Sequence, residues 1–277
     1  MGHHYVPRFY LRGFAIAEAI WAYDTVTERR FPTQVKSIAN ETGMYSDELE
    51  DYLATKVEEP AKPAITKLRT RDRLTPEDRL ALAKYILILW KRVPRARDRV
   101  LERLPQVADE VEQKLNSDLD RLVDQNPDLR AKAERWRIEI ARMIAKQKQR
   151  PSPELWHGSV GIQSGPRVVD ALLSMNWLFL HSKSQFLTCD NPVFFFEQEG
   201  IARPTSELTV PISTSLALWA TRQPRPSMQY LAASSACVRQ INQRTAHNAT
   251  RFVYARSDEP WILRFVTQRQ WPLTHLR

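Results

Sequence analysis

Between residues 74 and 99 the chain reads Leu-Thr-Pro-Glu-Asp-Arg-Leu-Ala-Leu-Ala-Lys-Tyr-Ile-Leu-Ile-Leu-Trp-Lys-Arg-Val-Pro-Arg-Ala-Arg-Asp-Arg, and from Leu80 to Trp90 apolar residues occupy nearly every helical face. A helix without a polar face is one that protein surrounds on all sides. Thr75 suits its N-cap, Pro76 its first turn, and Glu77 and Asp78 complement the positive end of the dipole. Pro94 stops it. Residues 47–59 place Leu49, Leu53 and Val57 on one helical stripe bordered by Glu50 and Glu58. Residues 20–24 and 29–31, split by a polar turn, predict a β-hairpin, and residues 37–45 a loop. Residues 97–123 and 127–149 carry sparse periodic apolar positions and predict two long polar helices, an antiparallel arm suited to packing or to a homodimer. Residues 150–158 read as a connector.

After that point the texture changes. Residues 166–174 and 234–247 predict helices, whereas 177–181, 186–189, 193–196, 208–219 (broken near Pro211), 251–255 and 261–267 read as strands. The expected fold is α+β: a helical lobe around the buried central helix, packed with a mostly antiparallel carboxyl-terminal sheet. All 277 residues are expected to form one intertwined domain, with an amino-terminal motif and hairpin (1–36), a helical lobe (37–150) and an α+β sheet lobe (151–277).

Charge sharpens this picture more than composition does. The net charge is +9, and residues 67–99 alone hold eleven Lys or Arg against four acidic residues. Such a window suits a polyanionic partner, although solvated flanks of a buried helix would look the same. Cys189 and Cys237 form no C-x-x-C pair, so no zinc site or disulfide framework is expected. No apolar run is long enough to cross a bilayer, and no leader is recognised, so the expected setting is a reducing cytoplasm with no membrane partner. Neither G-x-G-x-x-G nor G-x-x-x-x-G-K-[ST] occurs, nor H-E-x-x-H or G-x-S-x-G, which argues against the corresponding nucleotide-binding, zinc-protease and serine-hydrolase classes.

Several motifs stand out in order: His3-His4-Tyr5-Val6-Pro7-Arg8-Phe9-Tyr10-Leu11-Arg12-Gly13-Phe14, then Met44-Tyr45-Ser46 ahead of Glu50 and Glu58, then Arg92-Val93-Pro94-Arg95-Ala96-Arg97. Thr188-Cys189-Asp190-Asn191-Pro192-Val193 and Ile241-Asn242 follow. In this order the chain resembles the bacterial domain of unknown function 4238 family over nearly its whole length, with Cys189 where Ser is expected before Asp-Asn-Pro. The resemblance supplies positions and no mechanism.

The residues themselves suggest one. Asp190 and Asn191 sit before a proline, where a sheet displays polar groups at a strand end, though an Asx turn is the plain structural alternative. Arg92 and Arg97 could grip a phosphate, with Arg8 and His3 also on the substrate, while Glu58 and Asp190 hold a divalent metal such as Mg or Mn. His4, Glu58, Asp190 and Asn191 are then the catalytic candidates, with His4 as general base. The resulting expectation is a metal-dependent hydrolase or nuclease acting on nucleic acid or another phosphorylated substrate, with phage defence as its suspected setting. Two alternatives stay open: a non-catalytic module binding nucleic acid or a nucleotide, and a structural dimerisation protein. Pairing of buried arginines by Glu50 or Glu58 is the structural alternative at the site.

Overall fold

The structure is a computed structural model that describes residues 2–161, 165–268 and 271–276. In chain order its elements are β1 (Gly2–His4), α1 (Arg8–Leu11), β2 (Ala19–Asp24), β3 (Arg29–Gln34), β4 (Asn40–Thr42), α2 (Asp47–Tyr52), a π-helical segment (Leu53–Glu58), α3 (Glu59–Thr70) and α4 (Pro76–Lys91). There follow α5 (Pro94–Gln125), α6 (Arg130–Gln149), α7 (Pro153–Val160), α8 (Pro166–Leu173), β5 (Asn176–His181), β6 (Thr188–Cys189), β7 (Phe194–Phe195), β8 (Glu207–Ser213) and β9 (Leu216–Thr221). The chain continues through β10 (Gln229–Ala232), α9 (Ser235–Asn248), β11 (Phe252–Ala255) and α10 (Pro260–Gln268). This is an α+β fold.

Contacts divide the chain into two compact units, residues 1–94 with 162–277, and residues 95–161. The helices up to Lys91 therefore belong with the sheets rather than with the long helices, so the boundaries fall elsewhere than at the expected 36 and 150. In the second unit α5 and α6 are joined by ion pairs from Arg137 to Asp120 and from Lys148 to Asp109.

Three sheets build the first unit: β10-β5-β9-β8-β7, β3-β2-β11-β6, and the small pair β1-β4. All neighbours are antiparallel except β10, which runs parallel to β5. Helix α9 serves the cores of both larger sheets. Val238 and Ile241 pack with Leu178, Leu180, Ala217 and Trp219, whereas Ala246 packs with Tyr23, Val253, Ile262 and Val266.

The central helix forms for the reasons its sequence offers. Thr75 Oγ1 accepts from Asp78 N, Asp78 Oδ2 accepts from Thr75 N, and Pro76 stands at the first turn. Leu82, Ala83 and Tyr85 to Leu89 are buried, and only Lys84 among them reaches water.

The amino-terminal motif is stitched to the sheets. The Tyr10 hydroxyl reaches Thr188 Oγ1 at 2.8 Å and donates to Pro211 O at 2.7 Å. Arg69 Nη2 donates to Phe9 O, Tyr10 O and Ile212 O. Gly13 lies against both Arg69 and Ile212 O, so any Cβ there would collide with a backbone carbonyl that cannot retreat.

Four expectations need correction. Residues 261–267 form helix α10, not a strand: Ile262 and Val266 are buried one turn apart, a helical period that a short apolar run can disguise. The expected connector at 150–158 holds helix α7, which Pro153 starts from its first turn. The loop at 37–45 contains β4, whose pairing partner is the histidine strand β1. The strand expected at 208–219, broken near Pro211, is the hairpin β8–β9, which turns between Ser213 and Leu216 and only shifts register between Pro211 and Ser213.

Candidate functional site

The stripe Leu49–Leu53–Val57 does not lie on a continuous α-helix. Between α2 and α3 the backbone widens into π-helical turns over Leu53–Glu58, a rare geometry that recurs at functional sites. The extra residue per turn rotates Glu58 relative to where α-helical spacing would leave it. Glu58 Oε1 meets Arg92 Nη1 at 2.6 Å.

Arg92 is 1% exposed, and its guanidinium is engaged on two sides: Nη1 on Glu58 and Nη2 on the carbonyl of His4 at 2.5 Å. The Arg92 carbonyl accepts from the Tyr45 hydroxyl, and the Tyr45 ring lies 5.7 Å from the guanidinium carbon. Burial works against the arginine's charge, yet Tyr45 and Glu58 outweigh it and raise its pKa above the usual value.

His3 completes the group. Its Nδ1 accepts from Tyr45 N at 3.0 Å and its ring stacks on Tyr45 at 5.7 Å between centroids. Because Nδ1 is an acceptor, the neutral ring carries its proton on Nε2. Glu50 sits in the same electrostatic neighbourhood: burial raises its pKa, opposed by Arg92 and His3 and reinforced by Glu58. Glu50 Oε2 and Tyr85 Oη are buried with no hydrogen-bond partner among the described residues. Burial also drives the Tyr85 hydroxyl well above its usual pKa, with Glu58 adding to it. This cluster can hold a proton on Glu50, offer a neutral imidazole and fix a carboxylate against a cation.

The other predicted residues fall in different places. His4 contributes its backbone carbonyl to Arg92, while its ring, with pKa lowered by burial and by the nearby Arg8 charge, keeps Nε2 buried and unpartnered among the described residues. Arg8 is exposed. Arg97 lies on α5 in the second unit.

Asp190 is engaged by backbone. Its carboxylate accepts from Thr250 N at 2.7 Å, Arg251 N at 2.8 Å and Phe252 N at 2.9 Å, both oxygens taking part. Asn191 exchanges hydrogen bonds with Asn248, donating to its carbonyl and accepting at its own. These bonds fix the junction of α9 and β11, the structural role that an Asx-type turn implies. Among the described residues no group of three or more His, Cys, Asp or Glu is arranged to hold a metal ion, so His4, Glu58 and Asp190 make no such set.

A second buried ion pair had no sequence signal. Arg244 meets Glu207 at 2.5 Å with both side chains almost fully buried, and the guanidinium lies over Phe194 and Phe196. Both Glu207 oxygens accept from Leu276 N, and His275 bridges Glu207 and Glu199. The contacting pairs are 37 to 76 positions apart, beyond any local motif. Their contacts tie residues 274–276 onto β8 and α9.

Together the two larger sheets, the π-helical insertion and the buried polar cluster define an α+β protein with a partly buried set of acid, imidazole and guanidinium groups. The chain belongs to the family described as protein of unknown function DUF4238, whose sequence model matches residues 2–259. No curated protein and no solved structure matches it. No helix among the described residues is long and apolar enough to cross a membrane.

Proposed function

We propose that the protein is a hydrolase of nucleic acid or another phosphorylated substrate that works by acid–base chemistry at the cluster of His3, Glu50, Glu58 and Arg92. The observation that carries this reading is Glu50 Oε2, a buried carboxyl oxygen without a protein partner beside an imidazole and an ion-paired second carboxylate. Two carboxyl groups in unlike environments divide the work of acid and base. Glu50, whose environment favours its proton, is the donor to the leaving oxygen, Glu58, with one oxygen on Arg92, is the acceptor from the attacking water through its other oxygen, and the Nε2–H of His3 donates to the substrate. Glu58 and Tyr45 hold Arg92 in place, so Arg92 acts as scaffold and local positive charge rather than as a free phosphate clamp. The exposed Arg8, close enough for its charge to be felt at His4, is the cation that meets the phosphate. The chain's net charge of +9 favours an anionic substrate.

Turnover of RNA, single-stranded and duplex DNA and a chromogenic phosphodiester, with Mg2+, with Mn2+ and with chelator, tests the reading. Activity should fall about 100-fold in Glu50→Gln, the size of one general acid's contribution, while the chain melts no lower than the native one. Unchanged turnover in that variant overturns the assignment. Retention on nucleic acid that weakens steeply with salt and no turnover would instead establish a binding module.

A further inference from the structure

An opening in the first unit lies away from that cluster, at the other end of α4. It is a cavity of about 800 Å3 lined by Arg71, Arg73, Thr75, Arg79, Phe179 and Tyr230, among others, and shares no residue with the site above. That volume is ample for a nucleotide-sized ligand.

Its wall combines cations with a flat aromatic surface. The Tyr230 and Phe179 rings lie 5.0 Å apart at 34°, and the Tyr230 hydroxyl is tethered to Asp72 O at 3.0 Å, so the ring is held as a wall rather than left to rotate. Arg79 is committed to the carbonyls of Leu173 and Met175. Arg71 and Arg73 are exposed at the rim. The nearby Asp72 carboxylate accepts from Thr70 Oγ1 at 2.5 Å, and the arginines around the cavity outnumber it. The amino-terminal end of α4 is already closed by its own capping box and is not what recommends the cavity.

The backbone adds a separate sign. Arg71 follows α3 at φ 61° and ψ 30°, the left-handed position where a helix normally ends in glycine. Met228, on the opposite lining, has φ 62°. An arginine held where glycine would relieve strain suggests that its side chain is needed there.

We propose that this cavity is a nucleotide-binding site, with the phosphates on Arg71 and Arg73 and the base against the Tyr230 ring, which the buried Phe179 backs. It is separate from the hydrolytic cluster and stands whether or not that reading survives. Calorimetric titration of the full chain in the Glu50→Gln background, with ATP, AMP, adenosine and tripolyphosphate, tests it without turnover. ATP should bind more tightly than adenosine or tripolyphosphate. Arg73→Ala and Tyr230→Ala should each weaken it about tenfold, the loss of one charge-assisted or stacking contact. Arg71→Gly should melt at a higher temperature than its parent yet bind ATP about tenfold more weakly, which a merely structural arginine would not do. No binding at millimolar ATP, equal affinity for ATP and tripolyphosphate, or native affinity in Arg73→Ala overturns the proposal. Chromogenic phosphodiester turnover by Arg73→Ala with Glu50 intact should match that of the native chain, and a loss there would overturn the separation of the two sites.

Discussion

Asp190 and Glu50 are both partly or wholly buried carboxyl groups in motif segments, and the protein treats them in opposite ways. Three backbone N–H groups converge on Asp190, which leaves its oxygens little capacity for anything else. Glu50 keeps one buried oxygen without a partner among the described residues. A fully satisfied carboxylate is worth most to folding, and an unsatisfied one is a cost that folding alone does not require. Prominence in sequence does not track how a carboxyl group is held: the Asp-Asn-Pro-Val motif is the more conspicuous of the two, and its Asp190 is the one that backbone N–H groups engage.

The sharpest way to break that contrast is Asp190→Ala. Removing the acceptor of three buried N–H groups should cost about 4 kcal/mol of unfolding free energy by urea titration. Arg92→Met comes next, at about 3 kcal/mol, because Glu58 loses its buried partner and the His4 carbonyl its donor. Glu50→Gln should change stability by less than about 1 kcal/mol at neutral pH, within the range of ordinary partly exposed substitutions, despite its proposed loss of turnover. If Glu50→Gln unfolds the chain as Asp190→Ala does, the contrast collapses.

A pH series separates the two residues further. Glu50 binds its proton more tightly in the folded chain than the usual value of 4.5. Its contribution to stability is therefore complete below about pH 4.5 and is lost as pH rises through the folded-state value. Glu50→Gln cannot ionise, so its melting temperature relative to the native chain should rise above that window and not below it. Tyr45→Phe should cost about 1 kcal/mol by urea titration, for one hydrogen bond to the Arg92 carbonyl.

The central helix was legible because a capping box, a first-turn proline and an unbroken apolar run all point the same way. The hairpin β2–β3 and the antiparallel character of the larger sheets were legible from alternation and turn residues. The π-helical insertion was not, since its residues Leu53–Glu58 continue the α-helical apolar stripe of Leu49, Leu53 and Val57. The parallel strand β10 was missed because Gln229–Ala232 is a mostly exposed edge without alternation. At the site, Arg92 and Glu58 were singled out and do meet, whereas the placement of His3 rather than the His4 ring beside Tyr45 required the register of β1 on β4. Glu207, Arg244 and His275 come together only through the fold.

Because Thr75 begins α4 and Arg92 caps its end, the cavity and the acid–base cluster hang on a single rod about 24 Å long at 1.5 Å per residue. A lesion in the body of that rod, at Leu82 or Leu89, would erase both properties at once and so distinguish nothing. Only substitutions near its two tips can tell which end does what.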